Sequence, residues 1–268
     1  MAYRVGVDIG GTFTDFVLVD EGRDQIFTGK QLTTPEDPSA AIMEGVARLL
    51  SESETDPKDV DNLVHGTTLI TNTIIERTGA KVGLISTEGH RDALEMGKEI
   101  RYDLYDLFIE APPSLVPRHL RKTVAERVSP DGEVLLDFDE AGFRSALDSL
   151  VQDENVEALA ISFMHAYRNP DHERAAKRIV ADLYGDLPVT ISSEVAPEIR
   201  EFERTSTACA NAYVQPLMQS YLERLAGKLS DAGHDGTLYV MLSGGGITTV
   251  RDAEAYPIRL IESGPAAG

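Results

Sequence analysis

The segment Asp8–Asp15 has the sequence DIGGTFTD, which combines two adjacent glycines with two threonines and a carboxylate at each end. Two glycines in a tight turn let the backbone approach a ligand and direct successive N–H groups at it. The threonines add hydroxyl donors, and Asp8, at the end of a predicted strand, can hold a hydrated Mg²⁺. A di- or triphosphate site needs these groups. The predicted phosphate-binding residues are Asp8, Gly10, Gly11, Thr12, Thr14 and Asp15, with Asp8 as the metal ligand.

Two common nucleotide-binding motifs do not explain this segment. No Gly-Lys-Ser/Thr follows the glycines, so the segment is not a Walker A loop. A strand rather than a helix is predicted after them, which excludes a dinucleotide-binding fingerprint. The alternative is an ordinary glycine hairpin with threonines that simply favour strands. The complete DIGGTFTD string between two predicted strands favours phosphate binding.

A second polar cluster follows a short predicted strand and has the sequence HGTT, beginning at His65. The glycine gives access to the backbone, and both threonines would lie at the N-terminus of the next helix, which suits an anion or a polar substrate group. His65 is a candidate general base or ligand. A helix N-cap beside a hydrogen-bonded structural histidine explains the same residues equally well, so both interpretations stay open. The candidate catalytic residues here are His65, Thr67, Thr68 and Asn72.

A third cluster, from Glu198 to Thr205, alternates acidic and basic residues before a predicted apolar helix. Most such patterns are solvated helix starts. Arg200 and Arg204 lie one helical turn apart if the helix begins early, and they would then reach an anionic substrate together. These two arginines complete the set of candidate catalytic residues.

Two other groups are predicted to be structural. The spacing of His165 from His172 and Glu173 is a weak match to a metal site. Cys209 lies inside a predicted helix without an activating neighbour, so we expect it to pack in the core. As the single cysteine, it also excludes an intrachain disulfide and a thiolate-rich metal site.

The elements that must position these residues begin with a predicted three-stranded antiparallel meander over Tyr3–Asp8, Phe16–Asp20 and Gln25–Leu32. A helix over Ser39–Leu50 follows, because its apolar residues recur at helical spacing. A strand, a helix and a further strand, Lys81–Ser86, come next. We predict that this β-β-β-α-β-α-β order forms a mixed sheet with helices on both faces.

The rest of the chain is predicted to continue as α/β structure, with a long helix from about Thr205 to Leu229. A hairpin is predicted over Arg121–Val134 around a Ser-Pro-Asp-Gly turn. The chain closes on SGPAAG, which is typical of a loop that opens a helix, so we expect the fold to be cut at this point. The other predicted elements are helices at Glu140–Val151 and Asp171–Leu183 and strands at Ala158–Met164, Pro188–Ser192 and Thr237–Leu242.

Composition narrows the class of protein. The 268 residues include 45 acidic and 25 basic side chains, a net charge of −20 that argues against nucleic acid and anionic membranes as partners. No apolar run is long enough for a membrane helix, and the N-terminus lacks a signal region, so a cytoplasmic location is predicted. The dispersed acidity indicates either an ordinary soluble surface or adaptation to high salt, and both interpretations stay open.

Four segments together resemble the hydantoinase A/5-oxoprolinase family: VGVDIGGTFTDFVL, HGTTLITNTIIERTGAKVGLISTEGHRD, IREFERTSTACANAYVQP and the closing ESGPAAG. That family includes ATP-dependent N-methylhydantoinases, 5-oxoprolinases and the nucleotide-binding subunits of acetone and acetophenone carboxylases. The resemblance extends over essentially the whole chain. It implies an α/β fold of the actin/sugar kinase/Hsp70-like type, in which two ribonuclease-H-like halves close on ATP.

The resemblance also implies an activity, a cofactor and a domain division. ATP with Mg²⁺ would phosphorylate the carbonyl oxygen of a small cyclic amide or ketone substrate, which prepares it for hydrolysis or carboxylation. Residues 1–190 would form the N-terminal ribonuclease-H-like domain, and residues 191–268 the incomplete beginning of the hydantoinase A domain. A hydantoinase B-like subunit is the implied partner.

The resemblance exposes one departure. Family members continue beyond SGPAAG with a second phosphate loop and an adenosine-binding loop, and neither is present here. We therefore expect a split subunit or a truncated chain, for which the missing half is a further expected partner. One alternative is a non-catalytic nucleotide-sensing or assembly subunit. A sugar or acyl kinase of the same superfamily is a weaker alternative, because the HGTT and REFERT strings belong with the hydantoinase A pattern.

Overall fold

A computed structural model describes residues 3–34, 37–98, 103, 105–110 and 112–264. The chain forms two compact units. The first comprises Met1–Thr78 and Leu217–Gly268, and the second comprises Gly79–Pro216. The division at residue 190 inferred from the family resemblance stays a prediction. The last four residues of SGPAAG lie outside the described part of the chain.

The described part of the chain contains twelve strands. They are β1 (Tyr3–Ile9), β2 (Phe13–Asp20), β3 (Gln25–Leu32), β4 (Val60–Thr67), β5 (Val82–Thr87), β6 (Arg121–Val124), β7 (Arg127–Val128), β8 (Val134–Leu136), β9 (Ala158–Ser162), β10 (Val189–Ile191), β11 (Thr237–Met241) and β12 (Ile247–Thr249).

Eight α-helices lie between these strands in the same described ranges. They are α1 (Pro38–Glu52), α2 (Leu69–Glu76), α3 (Ala93–Met96), α4 (Glu140–Asp148), α5 (Asp171–Leu183), α6 (Ser192–Val195), α7 (Glu201–Asp231) and α8 (Val250–Ala255). None of the described helices is long and apolar enough to cross a membrane.

The first unit is built on a six-stranded mixed sheet in the order β12-β11-β4-β1-β2-β3. The predicted antiparallel meander is confirmed, because β1 pairs with β2 and β2 with β3 in antiparallel register. Alternate residues of β1 are buried, as expected for a strand with period-two side chains. Helix α1 packs on β2 and β3, where Gly45 leaves room for the ring of Phe16.

The prediction that Lys81–Ser86 is the last strand of this mixed sheet is wrong. The strand β5 covers this segment in the second unit, and the edge of the first sheet beyond β4 is formed by β11 and β12. All six residues of β5 are buried. Such a continuously buried strand indicates a covered parallel sheet, but its sequence does not specify which strands pair with it.

The second unit is built on a four-stranded sheet in the order β10-β9-β5-β6, with every pairing parallel. The hairpin predicted over Arg121–Val134 is only partly correct. A short antiparallel pair, β7 with β8, surrounds the predicted turn, whereas β6 pairs in parallel with β5. Helices α4 and α5 pack beside this sheet.

Candidate functional site

Asp8 lies near the carboxyl end of β1, directly opposite Asp15 of β2 in the antiparallel register. Its side chain is half-buried, and Oδ1 is buried without a hydrogen-bond partner among the described residues. Burial raises the pKa of this carboxyl, and repulsion from Asp15 raises it further. Asp8 therefore holds a poorly solvated negative charge that a cation or a hydrogen-bond donor would relieve.

The glycine turn between β1 and β2 is open at its tip. The Gly10 N–H donates to the carbonyl of Phe13 at 2.9 Å, which closes the hairpin. A methyl group at Gly11 would meet nothing within 4 Å, and Thr12 is exposed. The backbone of the turn is thus accessible to a ligand of the size of a phosphate group.

Thr14 and Asp15 point to opposite faces of β2. Thr14 is fully buried, and its hydroxyl shares a 3.0 Å hydrogen bond with that of Thr33. Thr33 in turn donates to the Gly10 carbonyl at 2.9 Å. Asp15 is exposed and forms an ion pair with Lys30 at 2.9 Å. Thr14 therefore stabilises the turn from the buried face of the sheet, whereas Asp15 lies on the same face of the sheet as Asp8.

The HGTT segment is adjacent to this turn, because β4 pairs in parallel with β1 and aligns Asp8 with Gly66. Both the N–H and the hydroxyl of Thr68 donate to the Ile9 carbonyl, at 3.1 and 3.3 Å. The Asn72 amide donates to the Thr68 hydroxyl at 3.4 Å. Thr68 and Asn72 of the second predicted cluster thus lie next to the first.

A segment near the end of the chain also approaches Asp8. A methyl group on Gly264 would lie 3.3 Å from Asp8 Oδ1 and 2.7 Å from the Thr68 side chain, so only glycine allows this approach. The Ser263 hydroxyl accepts from the Thr67 N–H at 3.2 Å and donates to the Thr67 carbonyl at 2.9 Å. Sequence reasoning assigned these two residues no role, although they lie in the ESGPAAG motif.

His65 lies in the interior of the first unit. It is fully buried, and its Nε2 forms a 2.7 Å hydrogen bond with the Tyr221 hydroxyl. Burial lowers the pKa of the imidazole to about 4, so the ring is neutral at pH 7. Of the two interpretations left open, this geometry favours the hydrogen-bonded structural histidine, and a catalytic role for His65 stays a prediction.

The two candidate arginines of the second unit differ in exposure and in hydrogen-bond partners. Arg200 precedes α7 with φ of 81° and is exposed, beside Glu203. Arg204 is buried inside the first turn of α7 and donates to Ser192 and to the carbonyls of Phe163 and Glu198. The helix begins at Glu201, and the Arg204 N–H donates to the Arg200 carbonyl at 3.2 Å, so Arg200 is the residue directly before the first turn.

The remaining candidates take structural contacts in the second unit. His172 Nδ1 lies 2.8 Å from the buried carboxylate of Glu126, and His165 Nδ1 lies 2.7 Å from the Val128 carbonyl. Glu173 accepts hydrogen bonds from Phe163 N–H, Ser193 N–H and the Ser192 hydroxyl. Burial raises the pKa of Cys209 to about 12. The described residues include no cluster of three or more metal-ligating side chains.

Family models match most of the chain. The hydantoinase/oxoprolinase N-terminal region matches residues 4–184, and the hydantoinase/oxoprolinase model matches residues 204–268. The caprolactamase alpha subunit of Pseudomonas jessenii is 38% identical over 99% of this chain and 39% of its own length. The 5-oxoprolinase of Saccharomyces cerevisiae is 33% identical over 99% of this chain and 23% of its own length.

Solved structures of relatives share the fold of this chain. The ATP-dependent caprolactamase of Pseudomonas jessenii superposes with a TM-score of 0.88 over 98% of this chain and 39% of its own. A nucleotide-free acetone carboxylase, 28% identical, superposes with a TM-score of 0.86, also over 98% of this chain and 39% of its own. The predicted α/β fold class, with a mixed sheet and flanking helices of the actin-like type, is confirmed. The chain spans about two-fifths or less of these relatives, and it belongs to the hydantoinase/oxoprolinase family.

Proposed function

We propose that this chain is the N-terminal part or a split subunit of an ATP-dependent hydantoinase/5-oxoprolinase-type enzyme, and that the turn from Asp8 to Asp15 binds the phosphates of ATP. The observation that carries the proposal is Asp8 Oδ1, which lies beside an open glycine turn and is buried without a hydrogen-bond partner in the part of the chain that the structure describes. A structural carboxylate at a strand end would normally have a partner. A charge kept without one is typical of a ligand site.

The residues around the turn fit a magnesium ion bound to phosphate. Mg²⁺ takes oxygen ligands, keeps several waters and usually binds one or two carboxylates. Asp8 and Asp15 present two carboxylates on one face of the β1–β2 pair. A divalent cation between them would also remove the repulsion that raises the pKa of Asp8. Asp8 is the proposed metal ligand.

The backbone and hydroxyl groups of the turn would hold the phosphate itself. The N–H groups of Gly11 and Thr12 and the exposed Thr12 hydroxyl are accessible at the tip. Thr14 and Thr33 hold the turn in place from the buried side. A phosphate site arranged before the ligand arrives loses less conformational entropy on binding.

The residues beside the turn would position the part of the bound ligand that the turn itself does not hold. Thr68 and Asn72 lie beside Asp8 through the Ile9 carbonyl, and Gly264 allows the chain to pass close to Asp8 Oδ1. Bound ATP would supply the phosphoryl group that converts the carbonyl oxygen of a cyclic amide or a ketone enolate into a leaving group. The chain's own contribution is to bind, orient and balance charge.

The proposed partners follow from the relatives. The caprolactamase relative is a subunit named alpha, and the chain covers 39% of its length. Two further relatives, from an acetophenone carboxylase and an acetone carboxylase, are also named as subunits. We therefore propose a hydantoinase B-like partner chain and a further segment that completes the nucleotide site. A cytoplasmic location remains a prediction.

Equilibrium dialysis of the 268-residue chain with MgATP tests the proposal. Because a single phosphate loop supplies only part of the nucleotide contacts, we expect dissociation constants of about 1 mM, equivalent to about −4 kcal/mol. Asp8→Asn should abolish this binding. Asp24→Asn, in the β2–β3 turn, is the matched control and should leave it unchanged. Equal affinity of wild type and Asp8→Asn for MgATP would refute the proposal.

A further inference from the structure

A lysine of β3 continues the row of charged residues formed by Asp8 and Asp15. Asp8 is the register partner of Asp15, and Asp15 is the register partner of Lys30. Register partners in antiparallel strands point to the same face of the sheet. Two carboxylates and one ammonium group therefore lie side by side across β1, β2 and β3, on the face where we propose that the nucleotide binds.

The Lys30 ammonium group lies close to the glycine turn. Its Nζ is 2.9 and 3.3 Å from the two carboxylate oxygens of Asp15. It is also 4.9 Å from the centre of the Phe13 ring. Phe13 directly follows Thr12, and its carbonyl accepts the Gly10 N–H that closes the hairpin. Lys30 thus contacts the residue next to the accessible tip of the turn.

Lys30 can exchange Asp15 for another anion at little cost. The Lys30 side chain is 57% exposed and that of Asp15 is 55% exposed. Exposed ion pairs contribute little to stability, because water and salt screen the two charges. The backbone of Lys30 is held independently of this pair, since its carbonyl accepts a 3.0 Å hydrogen bond from Arg48. The ammonium group can therefore change its partner while β3 stays in place.

The charges at the site explain why a bound nucleotide would attract this ammonium group. The carboxylates of Asp8 and Asp15 together would balance one Mg²⁺, so the negative charge of the phosphates would remain for other groups to balance. A nucleoside triphosphate carries more of this charge than a diphosphate. A lysine ammonium group is a compact charge with three N–H donors, and lysine is a frequent phosphate ligand. Lys30 has this chemistry and lies on the correct face.

We propose that Lys30 binds the terminal phosphate of a nucleoside triphosphate and that this contact makes the site prefer a triphosphate over a diphosphate. This inference rests on the proposed function. Asp15 and the Phe13 ring hold the ammonium group beside the turn until the nucleotide binds. A diphosphate lacks the terminal group that Lys30 binds, so the affinity for a diphosphate does not depend on this residue.

NMR titrations of the 268-residue chain with MgATP and, separately, with MgADP test the inference, with the amide signals of Gly11 and Thr12 as reporters. We expect wild type to bind MgATP about tenfold more tightly than MgADP, because hydrogen bonds to charged groups are among the stronger ones. Lys30→Met should weaken MgATP binding about tenfold and change MgADP binding less than about twofold. Lys30→Arg keeps the charge and should retain the preference for MgATP.

The matched control is Arg4→Met, which also removes one positive charge from an exposed ion pair of the first unit. Arg4 pairs with Glu21 at 2.9 Å, and its register partner Val19 lies near the end of β2 that is remote from the glycine turn. This variant should bind both nucleotides as wild type does. An equal loss of MgATP affinity in Arg4→Met would show a general effect of net charge and would overturn the inference.

Two further results would also overturn it. Lys30→Met could bind MgATP as tightly as wild type, or it could lose MgATP and MgADP affinity equally, which would make Lys30 a purely structural residue. In either case, loss of binding in Asp8→Asn would still support the proposed phosphate site, so only the role of Lys30 would fail. If wild type binds neither nucleotide, the proposed function fails, and the role of Lys30 fails with it.

Discussion

Replacing Asp8 by asparagine should make the folded chain more stable at pH 7 while it removes a ligand contact. The wild-type carboxylate has a buried oxygen that finds no partner among the residues described by the structure, and it faces Asp15 across the strand pair. A buried polar group without a partner costs about 1–3 kcal/mol when it is neutral and more when it is charged, so replacing the carboxylate by a neutral amide removes only the extra cost of the charge. Like charges directly opposite each other in a sheet cost about 0.2–1 kcal/mol. Because Asp8 is only half-buried and Lys30 pairs with Asp15, the lower values apply, and we expect a gain of about 1 kcal/mol.

The gain should depend on pH in a defined direction. Folding raises the pKa of Asp8 above 3.8, so the folded chain binds this proton more tightly than the unfolded chain. The protonated Asp8 carboxyl contributes to folding stability. This contribution is fully present below the pKa of Asp8 in the unfolded chain and is lost as the pH rises through its pKa in the folded chain. The stability difference between Asp8→Asn and wild type should therefore widen from pH 4 towards pH 7.

Urea denaturation at several pH values measures this difference, with Asp24→Asn as the control in the other hairpin. A loss of stability in Asp8→Asn at pH 7, or a difference that does not change with pH, would show that Asp8 is a structural residue. The inference that its charge is held for a ligand would then fail.

The remaining predictions concern the supports of the site. Because His65 is buried as the neutral ring, about 3 kcal/mol of the free energy of unfolding should be present above pH 6.5 and lost as the pH falls towards 4. The free energy of unfolding of His65→Gln, measured by urea denaturation, should depend less on pH. Tyr221→Phe should cost about 1–3 kcal/mol by leaving His65 Nε2 unpaired, measured by the same unfolding assay. Ser263→Ala should destabilise the first unit by a similar amount, because both its bonds to Thr67 are lost, and amide exchange at Thr67 should accelerate. Gly45→Ala should lower the melting temperature, because the new methyl group would lie 2.0 Å from the Phe16 ring; an unchanged melting temperature would show that α1 moves freely.

The sequence predicted those parts of the fold that depend on local patterns. The meander was predicted from strand-like alternation of residues in the first thirty positions, and β1 and β2 bury alternate side chains accordingly. The long helix α7 was predicted from an amphipathic pattern, and it begins at Glu201 rather than near Thr205. The pairing of β5 could not be predicted, because a strand buried at all positions has no polar face to orient it.

The candidate site was predicted only in part, because some of its contacts are local and others join distant parts of the chain. Asp8 and the glycine turn form one local motif, so their proximity follows from the chain itself. The contact between Thr67 and Ser263 spans 196 residues, and no local pattern encodes it. Arg200 and Arg204 looked equivalent because their spacing fits a helix, but the helix begins between them and only Arg204 is buried.

The most direct test of the phosphate site is a ¹⁵N–¹H NMR titration of the chain with ATP, with and without Mg²⁺. MgATP should shift the amide signals of Gly10, Gly11 and Thr12, with saturation in the millimolar range, and Asp8→Asn or omission of Mg²⁺ should remove these shifts. Shifts that avoid the Asp8–Asp15 turn, or that persist unchanged in Asp8→Asn, would contradict the assignment of this turn as the phosphate site.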